Sequence, residues 1–241
     1  MDILVEQNYE SMSQTAARLV AREILLVPDL VLGLATGNTP VGFYSELVKL
    51  HEENLLDYSS LKTFNLDEYY PIPPSHPESF TNYMYERFFN HVNVPEQNIY
   101  IPDGTVESVE EYCRRYEEWI EESGGLDLQL LGIGKNGHIG YNEPGCSWDS
   151  VTRLVELDPR TMEGQSDKFD NPPTQALTMG VKTIMGADQI LLLASGAKKA
   201  EVVEVALNGP VTTDVPASIL QLHPNVTVIL DREAAAELDG C

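Results

Sequence analysis

A chain of 241 residues, 42% of them hydrophobic and 22% charged, can bury a sizeable core and fits one large α/β domain spanning 1–241 better than two small ones. Its 38 acidic residues against 15 basic ones give a formal net charge of −23, which argues against nucleic acid and against anionic membrane surfaces as partners. No apolar run approaches the ~18 residues that span a bilayer, and three widely spaced cysteines (Cys113, Cys146, Cys241) argue against a disulfide framework or a zinc cluster and for a reducing compartment.

Met1-Asp-Ile-Leu-Val-Glu6 carries no basic leader and reads directly as a strand over Ile3–Val5, so a cytoplasmic location is expected. A helix follows over Ser13–Leu26. Leu30–Ala35 is continuously apolar, as strands buried on both faces of a parallel sheet are. It runs into Thr36-Gly37-Asn38-Thr39-Pro40 and a helix over Pro40–His51. Gly37 supplies a turn, Thr39 an N-cap and Pro40 the first helical position, so backbone N–H groups and hydroxyls gather at a helix N-terminus. That is a ready anion site, or an ordinary capped turn. It is not a Walker loop, because the Gly-Lys-Ser/Thr ending is missing.

The next strand, Leu61–Leu66, ends in Asp67 and Glu68. Adjacent acids on an extended chain point in opposite directions, so one of them can face a pocket as a general base while the other caps or turns. The Pro-rich piece Tyr70–Pro77 is a loop. A helix over Phe80–Asn90, a strand over Asn98–Ile101 and a helix over Ser108–Glu122 come next.

Strand Leu126–Ile133 opens into the most informative loop, Gly132-Ile-Gly-Lys-Asn-Gly-His-Ile-Gly-Tyr-Asn-Glu-Pro-Gly145. As Gly132-x-Gly134-x-x-Gly137 it matches a dinucleotide fingerprint, but the fingerprint needs a helix directly after it. Gly140, Pro144 and Gly145 deny that helix. His138 with Glu143 five residues on reads instead as an acid/base pair. The other histidines have no such company and no metal-ligand spacing exists, so neither metal nor nucleotide cofactor is expected.

Strands over Val151–Leu157, Gln175–Met179, Gln189–Ala194 and Val226–Leu230 complete the sheet. Helices are expected over Lys182–Ala187, Lys198–Leu207 and Ala234–Leu238. Ser195-Gly-Ala-Lys-Lys199 follows a buried strand and offers Lys199 as a countercharge for phosphate. The alternation gives a doubly wound, Rossmann-like domain, with a mostly parallel central sheet and helices on both faces. Ligands of such sheets bind at the carboxyl ends of the strands.

Three segments together, Gly33-Leu-Ala-Thr-Gly-Asn-Thr-Pro40, Phe64-Asn-Leu-Asp-Glu-Tyr69 and the loop Gly132–Gly145, resemble the glucosamine-6-phosphate deaminase (isomerase) family. The resemblance runs over most of the chain. The related 6-phosphogluconolactonases typically continue the loop as Gly-His-Thr-Ala-Ser-Leu-Phe, whereas this chain continues Gly-His-Ile-Gly-Tyr-Asn-Glu-Pro. The resemblance implies an enzyme, hydrolase and isomerase at once, acting without a cofactor on an amino-sugar phosphate. Thr36, Gly37, Asn38 and Thr39 would hold the phosphate, with Lys199 as countercharge. Asp67 would take the C2 proton and return a proton at C1, and His138 held by Glu143 would assist ring opening. An acidic chain would repel its anionic substrate at long range, and that local set would offset the repulsion.

Two departures from the family stand out. Asn136 occupies a position where many members have Asp, and an amide can orient but cannot transfer protons. No Arg lies in Thr161–Phe169, where many members carry one that closes over the phosphate; Lys168 is the nearest substitute, a point charge without a planar fork. The expected alternatives are a lactonase-type hydrolase and a non-catalytic sugar-phosphate sensor. The family includes hexameric members regulated by N-acetylglucosamine 6-phosphate and shorter unregulated ones; the early end after the last strand resembles the latter, and monomer or homo-oligomer stays open.

Overall fold

In a computed structural model of the chain, residues 1–158, 161, 169 and 171–238 are described. The chain opens with strand β1 (Asp2–Glu6) and helix α1 (Tyr9–Leu26), then β2 (Val31–Leu34), α2 (Val41–Glu52), β3 (Lys62–Asn65), β4 (Asp67–Tyr70) and α3 (Phe80–Arg87). It continues with β5 (Ile99–Tyr100), α4 (Val109–Glu122), β6 (Leu128–Gly132), β7 (Arg153–Glu156), β8 (Gln175–Thr178) and α5 (Val181–Met185). β9 (Gln189–Ala194), α6 (Ala200–Asn208) and β10 (Val226–Asp231) complete it.

Seven strands form one parallel sheet in the order β1-β10-β9-β6-β2-β3-β5. The apolar runs of β2, β6, β9 and β10 lie inside it: Leu32, Leu34, Leu130, Leu192 and Val228 are fully buried. Helix α1 starts at Asn8, whose side chain accepts from the Ser11 N–H while the Ser11 hydroxyl caps the Asn8 backbone. It then buries Met12, Ala16, Val20 and Ile24 at helical spacing against the sheet and α2. Right-handed crossovers put α1 and α2 on one face and α4 and α6 on the other. Tyr116 of α4 marks the second face, packing edge-on to Phe64 of β3 at 5.8 Å.

The winding direction fixes where a ligand goes. From β2 the chain steps through β3 to β5, then returns to β6 on the opposite flank of β2 and proceeds outward through β9 and β10. The order reverses between β2 and β6, so the crevice opens at the carboxyl ends of those two strands.

One expectation needs correction. The segments Val151–Leu157 and Gln175–Met179 are not strands of the central sheet. They supply β7 and β8, which pair antiparallel with β4 as a separate three-stranded sheet in the order β4-β8-β7. β7 is only half buried, with Glu156 exposed, and a short apolar run does not say which sheet it joins. The chain leaves the main sheet at Leu66, whose N–H donates to Leu34 and whose carbonyl accepts from Met179. A second small core of Tyr69, Ile72, Tyr141, Leu157, Phe169 and Ala176 packs beneath this added sheet.

Three smaller readings also change. Pro40 is the N-cap of α2 rather than its first helical residue, and the Gly42 N–H of the first turn donates to the Tyr9 hydroxyl at 2.7 Å, so Thr39 does not take the capping role. Residues Ala234–Leu238 form turns rather than a helix. The helix from Phe80 ends at Arg87 and continues as a 3₁₀ turn over Phe89–His91.

Candidate active site

Asp67 is the first residue of β4, two residues beyond the carboxyl end of β3. Its side chain is only 6% exposed, and among the described residues its carboxylate accepts no hydrogen bond. Burial, with the adjacent Glu68 charge adding to it, raises its pKa from 3.8 to about 8. Glu68 turns the other way, as adjacent acids on a strand must. Its carboxylate accepts from the N–H groups of Tyr69, Phe80 and Thr81 and from the Thr81 hydroxyl, at the N-terminus of α3. Burial raises its pKa too, and those donors pull it back. One acid is thus bound up in the fold, and the other has no donor among the described residues.

The loop after β6 meets Asp67 through Gly140, which takes φ 54°. A Cβ there would lie 2.9 Å from Thr178 Oγ1 and 3.7 Å from Asp67 Oδ2, so a side chain would push the loop off the carboxylate. Thr178 sits opposite Asp67 on β8, and its hydroxyl accepts from the Tyr141 N–H at 3.0 Å. Asn142 is fully buried and donates to the carbonyls of Ile139 and Met179. The added sheet therefore supplies both the carboxylate and the surface against which the loop is held.

Within the loop, His138 packs over Gly134, where a Cβ would fall 2.3 Å from His138 Nε2. His138 Nδ1 lies 3.2 Å from Glu143 Oε2. Asn136 Nδ2 donates to that same oxygen at 2.6 Å, and Asn136 Oδ1 accepts from the His138 N–H at 3.3 Å. The Thr161 hydroxyl donates to the other oxygen, Glu143 Oε1, at 2.6 Å. Burial pushes the Glu143 carboxyl up, but the contacts with His138, Thr161 and Asn136 outweigh it and leave the pKa below its ordinary value.

On the far flank of the crevice, the turn after β2 faces its carbonyls away. Tyr83 Oη donates to Gly37 O at 2.7 Å, and Tyr9 Oη reaches the carbonyls of Asn38 and Thr39. Among the described residues, the N–H groups of Thr36, Gly37, Asn38 and Thr39 make no hydrogen bond. They stand at the N-terminus of the 12-residue helix α2, a place that attracts anions.

Lys199 enters from the turn after β9, the strand beside β6. Its Nζ donates to Ile133 O, at the root of the loop, at 2.6 Å. Burial and the nearby Lys135 charge hold its pKa below the ordinary lysine value. Asp231, at the end of β10, fixes the turn that carries it. Its carboxylate accepts from Ser195 Oγ at 2.6 Å and from the Gly196 and Ala234 N–H groups. Lys168 lies outside the described residues. A groove of about 930 Å³ between α4, β7 and α5 contains none of these groups.

The strand-end rule found Asp67, the loop and Lys199. It could have found Asp231, an acid at the end of a buried strand in the same pattern as Asp67. Thr161, Thr178, Tyr9 and Tyr83 carried no local signal, because their partners lie 18 to 46 residues away in sequence.

A family model described as glucosamine-6-phosphate isomerases/6-phosphogluconolactonase matches residues 4–229. A glucosamine-6-phosphate deaminase of Clostridium botulinum (strain Loch Maree / Type A3) is 48% identical, with 99% of each chain covered. One of Halothermothrix orenii is 51% identical over 99% of this chain and 100% of its own. A solved monomeric glucosamine-6-phosphate deaminase superposes with a TM-score of 0.95 at 46% identity, over 98% of this chain and 100% of the other. The 6-phosphogluconolactonase of Trypanosoma brucei, at 24% identity and TM-score 0.77 over 98% of both chains, shares the fold alone.

Proposed function

The chain belongs to the glucosamine-6-phosphate isomerase/6-phosphogluconolactonase family, and from that premise we infer that it deaminates glucosamine 6-phosphate to fructose 6-phosphate and ammonia. The relatives at 48 and 51% identity carry the deaminase name, whereas the lactonase compared above reaches only 24%. The deaminase reading therefore stands above the lactonase and sensor alternatives. The family description is that of an isomerase; hydrolytic release of ammonia is the finer statement made here. We further propose that residues 1–241 act as one α/β domain, in the cytoplasm, on a small amino-sugar phosphate and not on nucleic acid.

The roles of the residues follow from what each can do. The N–H groups of Thr36–Thr39, which have no partner among the described residues, and the Lys199 ammonium bind the phosphate and oppose the chain's net charge of −23 locally. His138, oriented by Glu143, shuttles a proton at the ring oxygen to open the sugar. Asn136 holds that pair in place without exchanging a proton. Asp67 takes the C2 proton of the open-chain amino sugar and, after exchange with solvent, returns a proton at C1. The enolamine becomes an imine at C2, water adds there, and ammonia leaves.

The observation that carries this reading is the buried Asp67, whose carboxylate accepts no hydrogen bond among the described residues, beside the His138–Glu143 loop. Burial raises its pKa to about 8, close enough to neutrality for a carboxylate both to take up and to return a proton. An ammonia-release assay over a panel of amino-sugar phosphates tests it. Purified protein should release ammonia from glucosamine 6-phosphate. Absence of ammonia together with hydrolysis of 6-phosphogluconolactone would overturn the reading.

A further inference from the structure

We infer that Thr161 is a positioning residue for ring opening, setting the plane of the Glu143 carboxylate through its hydroxyl so that the opposite oxygen stays with His138. The inference rests on the proposed roles of His138 and Glu143.

The backbone of Glu143 is fixed on both sides. Its N–H donates to Tyr141, its carbonyl accepts from Cys146, and Gly145 donates to Thr213. Asn142 before it is clamped to two carbonyls. What the fold leaves free is the terminal torsion of the side chain, which is broad for glutamate. Oε2 alone does not fix that torsion, because it is shared between the Asn136 amide at 2.6 Å and the longer His138 contact at 3.2 Å. Asn136 is the closer donor, so a carboxylate pivoting about Oε2 would follow the amide and leave the imidazole.

The Thr161 hydroxyl closes this gap by engaging Oε1 at 2.6 Å. Its own backbone is held in a turn, the Thr161 N–H donating to Asp158 O at 2.8 Å. With both oxygens engaged from separate parts of the chain, the carboxylate has one orientation. The contact also favours the ionised carboxylate, in keeping with the lowered pKa of Glu143. Thr161 does not reach the reacting atoms on this account; it acts through Glu143.

The experiment compares Thr161→Val, Thr161→Ser and Glu143→Gln, using glucosamine 6-phosphate turnover and an NMR titration of the labelled Glu143 carboxyl. Thr161→Val keeps the shape and removes the donor. Its kcat should fall on the order of tenfold, the typical worth of one charge-assisted hydrogen bond. KM should stay within about twofold, because phosphate contacts are untouched. The Glu143 carboxyl should titrate at higher pH than in the wild type. Thr161→Ser should restore both kcat and titration. A Val variant with wild-type kcat, an unshifted Glu143 titration, or a Ser variant as slow as Val would each overturn the inference. Wild-type turnover by Glu143→Gln would instead remove the role assigned to Glu143, while the Glu143 titration, which needs no turnover, would still report on the Thr161 contact.

Discussion

The two flanks of the crevice solve different problems with different parts of the chain. The turn after β2 binds through backbone: N–H groups at the head of α2, with Tyr9 and Tyr83 engaging the carbonyls behind them. The loop after β6 works through side chains, each held by another: Asn136 and Thr161 on Glu143, Glu143 on His138, Thr178 on the backbone of Tyr141. A backbone site tolerates substitution because every residue except proline carries an N–H. A side-chain site does not, and the glycines at 134 and 140 are required to let the parts approach. Binding should therefore be hard to abolish with one mutation, and chemistry easy.

The largest expected effect is at Asp67. Asp67→Asn should lower kcat by roughly three orders of magnitude, the scale of a lost general base, while the KM for glucosamine 6-phosphate changes little. The same substitution should stabilise the fold. With its pKa raised from 3.8 to about 8, Asp67 opposes folding when ionised. That penalty is absent below pH ~4, grows as pH rises from 4 to 8, and is full above. The Asn variant should gain over the wild type through that window, toward an upper bound of about 6 kcal/mol. Denaturant midpoints at pH 5 and 9 check the sign; an Asn variant no more stable at pH 9 would contradict the burial argument.

On the binding flank, Lys199→Met should raise KM about tenfold to a hundredfold and lower kcat less, since it removes one charged contact while the backbone donors remain. Steady-state kinetics separates the two constants, and an effect on kcat alone would place Lys199 with the chemistry instead. The smallest effect is one step removed. Asp231→Asn should raise KM only a few-fold, by loosening the Ser195–Gly196 turn that carries Lys199. In the Lys199→Met background it should add almost nothing, because residues acting through one contact are not additive.

The central sheet could be read from sequence because its inner strands are apolar throughout, and strand–helix alternation restricts the topology. The added sheet could not be read this way. β7 and β8 look like any short apolar runs, and only pairing with β4, which begins two residues beyond the end of β3, takes them out of the main sheet. The site divides along the same line. Asp67, His138 and Glu143 announce themselves through glycines and strand ends. Thr161 and Thr178 are ordinary threonines until the fold brings them to a carboxylate and a loop. Thr39 looked like a cap because its residue type is right, yet Pro40 is the N-cap and a distant side chain, Tyr9, takes the first-turn Gly42 N–H.

The most direct measurement is proton exchange at C2. In deuterated water, the wild-type protein should place solvent deuterium at C1 of the fructose 6-phosphate it forms and exchange the C2 proton of glucosamine 6-phosphate, as a solvent-exchanging base would. Asp67→Asn should bind the sugar phosphate and show no exchange at C2. Exchange in that variant at the wild-type rate would contradict the account, because the C2 proton would then be moving through some group other than the buried carboxylate at the head of β4.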